Sequence, residues 1–441
     1  MSMIKGLTVL CCVALCSQNL FAQHRQMSIA ELFRLADENS TEIAVYRTAA
    51  EMAEEGLKAA KAQRLPQIDI SASASYIGNG YLWDRDFTNG MKVDMPHFGN
   101  NFAVEASQVI YAGGAVESGV QMADLGRRMA GLDLQKRTQD VRFLVLGHYL
   151  DLYKLNNQIR VLEHNLDLTD KVIVEMYARR EQGTVLKNDI TRYELQKETL
   201  KLQKTRLEDA AKIINHRLVT VLHLPDSTVI VPDSTLLASE VETLTEEFWQ
   251  NEAAESNLDL KQSELNVQMK QQGVRLERSA MLPQIAVVAA DHLDGPILIE
   301  VPVLNNNFNY WYVGVGIKYD LSSLFKSRQK VRQARLDLRQ AEESEALARE
   351  NVENAVQAGY VDFLTSFSDL RTGEKTVELA DENYAVVSNR YDNELALLTD
   401  MIDASNIKLS ADLDLENARI NVIYNYYKML YLTHTLSCQE E

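Results

Sequence analysis

The sequence contains few residues that break helices or cross-link the chain. Its 441 residues include only 7 prolines, 19 glycines and 4 cysteines. No proline occurs between positions 97 and 224 or between position 303 and the end of the sequence. Because proline removes a hydrogen bond and clashes inside a helix, both segments are predicted to be long helical regions.

Positive charge is also scarce. The chain has 45 Lys+Arg against 63 Asp+Glu, which gives a formal net charge of −18. Proteins that bind nucleic acid present clustered Lys and Arg to the phosphates, so this balance argues against such a partner. The mean hydropathy of −0.23 argues against a membrane protein built from many hydrophobic helices.

The first 23 residues are predicted to be an export signal. Lys5 precedes a short apolar core, and a small residue lies at the expected cleavage point. The core is too short to anchor the chain in a bilayer. Three of the four cysteines lie in this segment, so the exported chain would keep only Cys438 and could form no internal disulfide. A lipid anchor on Cys16 is disfavoured because Leu15 occupies a position where a small residue is needed.

The first half of the remaining chain changes its hydrophobic period twice. Ser28 and Glu31 form a capping-box pattern that predicts a helix continuing to Arg64. Apolar and polar residues then alternate in 66–77 and 101–112, which predicts two strands joined by a long loop. Helical periodicity returns from about 115 to 180 and from about 188 to 222, with a break at Gly183 that predicts a helical hairpin.

The second half repeats this order. Leu282-Pro283-Gln284-Ile285 repeats Leu65-Pro66-Gln67-Ile68. Strands are predicted at 283–292 and 309–320, followed by a second long helical hairpin with a break near Glu394. The chain is therefore predicted to contain two structural repeats, 24–222 and 243–437, joined by a linker at 223–242.

These elements predict a mainly α fold with a small β part. Strands of about ten residues with one apolar face have the length needed to cross a bilayer obliquely. Four strands leave two open edges, which lipid does not tolerate, whereas three copies supply a closed barrel of twelve. The alternation alone fits a soluble sheet with one wet face equally well, and the export signal and long helices favour the barrel.

The duplicated features resemble the TolC-type outer-membrane factor family, the exit ducts of efflux pumps and type I secretion systems. The resemblance lies in the twin Leu-Pro-Gln-Ile strand starts, the Tyr-Ala-Gly-Gly turn at 111–114 and the two hairpin tips. It implies a homotrimeric β-barrel in the outer membrane on a helical tunnel in the periplasm. The implied partners are a periplasmic adaptor protein and an inner-membrane transporter of the RND, ABC or a similar class. The duct would be passive, would hold no cofactor and would not be an enzyme.

The resemblance also implies a gate at the second tip. Asp400 and Asp403 fall on the family's Asp-x-x-Asp motif, which narrows the periplasmic mouth, and Tyr391 falls on its gate tyrosine, next to Arg390. This sequence departs from the family in two places, because Ala396 stands where an arginine would help lock the gate and Glu394 replaces the glycine of the tip.

Helix capping offers a simpler interpretation of the same residues. Thr399 is a possible N-cap, and aspartates in a first helical turn are favoured by the helix dipole. Asp400 and Asp403 are therefore interpreted either as pore residues or as first-turn residues of the last helix.

By resemblance, the first hairpin tip is where an adaptor protein docks. The candidate residues are Gly183, Thr184, Val185, Leu186 and Asp189. The simpler interpretation, which we favour, makes Asp189 a helix cap and Gly183 a turn residue with positive φ.

A second function class remains open from the sequence. Long helices that pair as coiled coils also suit a non-conducting periplasmic scaffold or adhesin. The eight histidines show no metal-ligand spacing, and no nucleophile elbow, phosphate loop or zinc motif occurs.

Overall fold

The computed structural model describes residues 23–233, 243–300, 303–393 and 395–437. Most of the predicted export signal, Glu394 and Cys438 lie outside these residues. The chain divides into two compact units, each drawn from both predicted repeats. The described residues of 1–47, 133–258 and 349–441 form the hairpin unit, and those of 48–132 and 259–348 form the sheet unit.

The first half of the described chain contains six strands and four helices. In chain order these are β1 (Gln23–Met27), α1 (Ile29–Asn39), α2 (Thr41–Ala62), β2 (Gln67–Tyr76), β3 (Gly80–Leu82), β4 (Met91–Val93), β5 (Phe98–Tyr111), α3 (Ala115–Glu181), α4 (Lys187–Val221) and β6 (Thr228–Pro232).

The second half of the described chain repeats most of this order. It contains α5 (Glu246–Ser256), α6 (Leu258–Ser279), β7 (Gln284–Gly295), β8 (Phe308–Lys318), α7 (Ser323–Asp392) and α8 (Leu398–Thr433). The four main strands lie within three residues of their predicted bounds. The fold class, mainly α with four main strands and two long helical hairpins, is confirmed.

Each repeat begins with two helices where one continuous helix was predicted. Ser40 and Asn257 leave the helical conformation, with φ/ψ of −61°/121° and −60°/124°. Their backbone N–H groups still donate to Ala36 and Ala253, which closes the preceding helix. The two breaks are separated by the same offset as the two Leu-Pro-Gln-Ile sequences. Neither break carries a proline, so the sequence pattern did not reveal it.

The predicted linker at 223–242 contains a strand. β6 pairs in parallel with β1, from Gln23 opposite Thr228 to Met27 opposite Pro232. The side chain of Asn215 on α4 binds the other edge of β6, donating to Thr228 O and accepting from Ile230 N, both at 2.8 Å. A side-chain amide therefore takes the place of a third strand beside β6.

The main core of the hairpin unit forms where α1, α3 and α4 pack together. Its fully buried members include Leu32, Phe33, Val145 and Leu218. Ser28 caps α1 as predicted, because its Oγ accepts a hydrogen bond from Glu31 N at 3.2 Å. The cap fixes the start of α1 and turns its apolar face towards this core.

The sheet unit contains one four-stranded sheet in the order β2-β5-β7-β8, with every pair antiparallel. Within the described chain, β2 and β8 each pair on one side only. The long loop predicted between the first two strands contains a short hairpin, because β3 pairs with β4. Gly113 and Gly114, with φ of 63° and 86°, form the turn from β5 into α3.

Candidate functional site

The register of the sheet sorts its side chains into an apolar and a polar face. Ile70 lies opposite Val104, which lies opposite Asp291, and Asp291 lies opposite Trp311. The other apolar members of this face are Ile68, Ala72, Ala74, Tyr76, Phe98, Phe102, Ala106, Tyr111, Ile285, Val287, Ala289, Leu293, Val313, Val315 and Ile317. Asn100, Gln108, Gly295 and Asn309 also lie on it. The opposite face carries mostly Ser, Gln, Gly and charged residues.

The apolar face is the exposed one. Ile70 is 79% exposed, Trp311 74% and Val315 68%. On the polar face the alanines Ala103 and Ala290 are buried, while the serines of β2 are exposed. A soluble sheet buries its apolar side, and this sheet exposes it.

Aromatic and polar residues collect at one end of the apolar face. Tyr76 pairs with Phe98 at the end of β2, and Trp311 lies near the start of β8. The one carboxylate of this face, Asp291, lies at the same end and accepts a hydrogen bond from Asn309 Nδ2 at 2.7 Å. Transmembrane barrels place aromatic girdles and polar side chains at this level, where lipid meets water.

The first hairpin tip is a tight turn closed by its own polar groups. Gly183 adopts a φ of 80°, and the backbone N–H and Oγ1 of Thr184 both donate to Arg179 O. Helix α4 then begins after Leu186, whose N–H donates to the Asp189 carboxylate at 3.3 Å. Gly183 thus lies where a positive φ is required, and Asp189 closes the first turn of α4.

The second tip repeats this arrangement in the other half of the chain. Helix α8 begins after Leu397, whose N–H donates to Asp400 Oδ2 at 3.0 Å. The proposed N-cap, Thr399, is wrong, because residue 399 already lies inside the helix. Asp403 is exposed and has no hydrogen bond or ion pair within the described chain.

Apolar side chains from both hairpins pack together near the tips. This tip cluster consists of Ile173, Met176, Ile190, Tyr193, Leu398 and Met401, with Tyr391 packed against it. The Tyr193 hydroxyl is buried without a hydrogen-bond partner in the described chain. Burial raises the pKa of Tyr193, and it also raises the pKa of Tyr391, with the Asp189 carboxylate adding to the effect and Arg179 opposing it.

One arginine that sequence reasoning did not assign to the gate connects the two hairpins. Arg179, in the last turn of α3, forms ion pairs with Asp392 at 2.9 Å and with Glu175 at 2.5 Å. Its guanidinium also lies 5.8 Å from the centroid of the Tyr391 ring. The sequence placed Arg179 in the first tip. It gave no indication of the partner, Asp392, which lies in the other half of the chain.

The four predicted gate residues are not joined in one network. Arg390 donates to Leu395 O within its own tip at 3.3 Å, Asp400 caps α8 and Tyr391 packs in the tip cluster. The gate role of these residues remains a prediction.

Exposed leucines mark both tips. Leu186 and Leu397, the residues before α4 and α8, are 71% and 70% exposed, and Leu395 is 68% exposed. The adaptor-docking role of the first tip also remains a prediction.

The chain matches one protein family in part of its sequence and several solved structures in its fold. Residues 249–426 match the model of the outer membrane efflux protein family. The chain is similar in fold to VceC from Vibrio cholerae, with 13% identity and a TM-score of 0.77 over 92% of this chain and 96% of that one. It is also similar to CmeC from Campylobacter jejuni, with 15% identity and a TM-score of 0.74 over 94% and 87%. It is similar as well to MtrE from Neisseria gonorrhoeae, which was solved in an open state. The sequence identity is 15% and the TM-score 0.74, over 92% of this chain and 88% of that one.

The chain has the fold of an outer membrane efflux protein. The resemblance drawn from the sequence is therefore confirmed, in fold over most of the chain and in sequence over residues 249–426. No curated protein matches the chain by sequence. The matched family is that of outer membrane efflux proteins, and CmeC and MtrE are outer membrane channels, which agrees with the predicted location in the outer membrane.

No described helix is long and apolar enough to cross a membrane. No group of three or more His, Cys, Asp or Glu in the described part of the chain could hold a metal ion.

Proposed function

We propose that this chain is the passive outer-membrane exit duct of a tripartite efflux pump or type I secretion system. Three copies form a twelve-stranded barrel, and cargo enters from an inner-membrane transporter through a periplasmic adaptor protein. The observation that carries this proposal is the exposed apolar face of the sheet, which needs lipid, and its polar face, which suits a water-filled interior.

Closure of the barrel requires β2 of one copy to pair with β8 of the next. Helix α2 ends five residues before β2, and α7 begins five residues after β8. The pairing therefore brings α2 of one copy beside α7 of its neighbour, at similar distances from the sheet.

The charges of these two helices are complementary. The start of α7 carries Lys330, Arg332 and Arg335, which are exposed and have no ion pair within the described chain. At the matching distance from the sheet, α2 carries exposed Glu51 and Glu55. Opposite charges at matching heights favour one arrangement of neighbouring copies and support a closed ring.

The proposed gate lies at the hairpin tips. Threefold symmetry would gather six carboxylates from Asp400 and Asp403 around one axis, which favours cations at the mouth. Arg179 and Asp392 hold the second hairpin against the first within one copy. Opening would be an iris-like movement of the second hairpin that breaks this contact. The open state in which MtrE was solved supports such a movement.

Adaptor docking is proposed at the same tips. Leu186 at the first tip and Leu397 at the second present exposed apolar side chains at equivalent places. A partner that covers both leucines removes their apolar surface from water and contacts the two tips in equivalent ways.

Single-channel conductance of the purified protein in planar bilayers tests the duct and the acidic mouth together. We expect small, cation-selective openings whose selectivity weakens in the Asp400→Asn/Asp403→Asn double variant. Openings that keep their selectivity in this variant would contradict the pore role of the aspartates. Silence of a correctly inserted trimer, alone and with its adaptor, would contradict the duct itself.

Charge reversal tests the arrangement of copies. Glu55→Lys and Lys330→Glu are each expected to lower the yield of heat-resistant trimer, and the double variant to restore it, because the reversed charges attract again. Glu247→Lys, on the exposed surface of α5, makes the same charge change outside the proposed contact and is the control. A double variant no better than either single one would contradict the α2–α7 contact.

A further inference from the structure

Four rings are stacked in a row on the polar face of the sheet, at the end where β7 and β8 are joined. Phe308 stacks on Tyr310 with centroids 5.4 Å apart, Tyr310 on His292 at 5.1 Å, and His292 lies 6.2 Å from Tyr312. The ring planes of each neighbouring pair lie within 24° of parallel. We call these four residues the aromatic ladder.

The ladder is not part of a hydrophobic core. Phe308 is 53% exposed and Tyr312 48%, so both end rings keep much of their surface open. Their nearest neighbours on this face are Ala103, Ala290, Asp294 and Gly314, while Trp311 between them lies on the apolar face. The two end rings thus keep apolar surface open on a wet face, which indicates a binding surface.

Carboxylates surround the ladder. Asp294 accepts hydrogen bonds from Asn101 and, at 3.4 Å, from the Tyr310 hydroxyl. Glu105 lies 3.7 Å from His292 Nε2 and directly opposite Asp69 on the neighbouring strand.

The negative charge beside the rings is not balanced by lysine or arginine. Two carboxylates directly opposite each other in a sheet repel. Within the described chain, Asp69 is hydrogen-bonded by Gln67, and His292 is the one basic side chain near Glu105. A cation bound beside the rings would relieve this repulsion.

The geometry points to a binding site for organic cations with an apolar body, formed by the aromatic ladder together with Asp294 and Glu105. This inference rests on the proposed duct, because only there does the polar face line a water-filled passage. From Phe308 to Tyr312 the strand advances about 13 Å, which is long enough to seat a cation and its aromatic or aliphatic group. The open ring surfaces contact the apolar body, and the carboxylates attract the charge.

Block of the open channel measures this binding directly. Benzyltrimethylammonium is added to the bilayer chamber facing the β7–β8 turn, and the concentration that halves the single-channel current is determined. Neutral benzyl alcohol serves as the matched probe without charge. We expect the cation to block at concentrations at which benzyl alcohol leaves the current unchanged.

Three variants locate the block. Tyr310→Ala removes the ring at the centre of the ladder, and Glu105→Gln removes one charge while keeping the shape of the side chain. Each is expected to raise the half-blocking concentration about two- to fivefold. Trp311→Leu alters an aromatic residue on the opposite face of the same strand and is expected to leave the block unchanged.

Each outcome separates the site from the duct. A normal current blocked equally in wild type, Tyr310→Ala and Glu105→Gln would overturn the site but leave the duct in place. Equal block by benzyl alcohol would overturn the assignment to cations. Complete absence of current from inserted trimers, alone and with the adaptor, would overturn the proposed function and the site with it. If Tyr310→Ala fails to insert, Glu105→Gln decides the site alone.

Discussion

The contact between the two hairpins predicts that one substitution, Arg179→Gln, opens the proposed gate. Arg179 forms ion pairs with Asp392 on α7 and with Glu175 on its own helix, and it lies against the ring of Tyr391. The Glu175 pair lies within α3 and survives any movement of the second hairpin. Of the contacts of Arg179, only those with Asp392 and Tyr391 join the two hairpins and would be lost on opening.

The size of this bias follows from the exposure of the groups. The side chain of Arg179 is 23% exposed and that of Asp392 is 49% exposed, so solvent weakens their attraction. An ion pair of this kind contributes about 0.5 kcal/mol, and a half-exposed cation–π contact about as much again. Together they favour the closed state by about 1 kcal/mol per copy, which corresponds to about a fivefold change in the open-to-closed ratio.

Single-channel recording measures that ratio as open probability. Arg179→Gln is expected to raise the open-to-closed ratio about fivefold for each copy that opens, and on the order of a hundredfold if the three copies open together. Arg180→Gln is the matched control. Arg180 is the next residue, is exposed and makes no ion pair within the described chain, so its loss changes the charge but not the contact. In a double-mutant cycle, Asp392→Asn should add little once Arg179 is replaced.

Two results would refute this reasoning. An equal effect of Arg179→Gln and Arg180→Gln would show that net charge at the tip, rather than the contact between hairpins, sets the open probability. Fully additive effects of Arg179→Gln and Asp392→Asn would show that the two residues act independently.

Three further predictions concern stability, measured as the melting temperature of the purified protein. Burial raises the pKa of Asp412, so its ionised form destabilises the fold. Asp412→Asn should therefore raise the melting temperature at pH 7. The gain should shrink at lower pH, where the wild-type carboxyl becomes protonated. Burial lowers the pKa of His148, so on acidification the unfolded chain binds a proton at this residue at a higher pH than the folded chain does. Stability should therefore fall as the pH drops below about 6.5. His148→Gln should remove this part of the loss. Gly113→Ala should lower the free energy of unfolding by about 1–3 kcal/mol, because the new Cβ would lie 2.8 Å from Ser279 O at a positive φ. Gly114→Ala is the control, because open space surrounds this residue. It should cost only the backbone strain, about 1 kcal/mol. A melting temperature unchanged by Gly113→Ala would contradict the close approach.

The parts of the fold that the sequence predicted are those with a strong periodic signal. Alternation over ten residues located β2, and the absence of proline located α3 and α7, because both patterns are repeated many times in one element. The breaks at Ser40 and Asn257 escaped because a single extended residue leaves no such pattern. The strand β6 escaped because its five residues depend on pairing with β1, far away in the sequence.

The tips show the same limit for the candidate site. The resemblance identified Asp400 and Tyr391 by their spacing from neighbouring residues, which a sequence displays directly. The contact of Arg179 with Asp392 joins hairpins from opposite halves of the chain, and nothing local marks it. The aromatic ladder was missed for a related reason, because His292 enters the row of β8 rings only through the register of β7 with β8.

The capping and pore interpretations of the second tip are compatible for Asp400. Its Oδ2 accepts the hydrogen bond from Leu397 N, and this uses one of the two carboxylate oxygens. The charge is shared by both oxygens, so a capping aspartate still contributes a negative field at the mouth. Asparagine keeps an oxygen that can accept from Leu397 N and removes only the charge, whereas alanine would remove both. A loss of cation selectivity in Asp400→Asn with an unchanged melting temperature would therefore assign the pore role to the charge. Asp403 has no partner in the described chain, so Asp403→Asn should change the selectivity and leave the melting temperature unchanged.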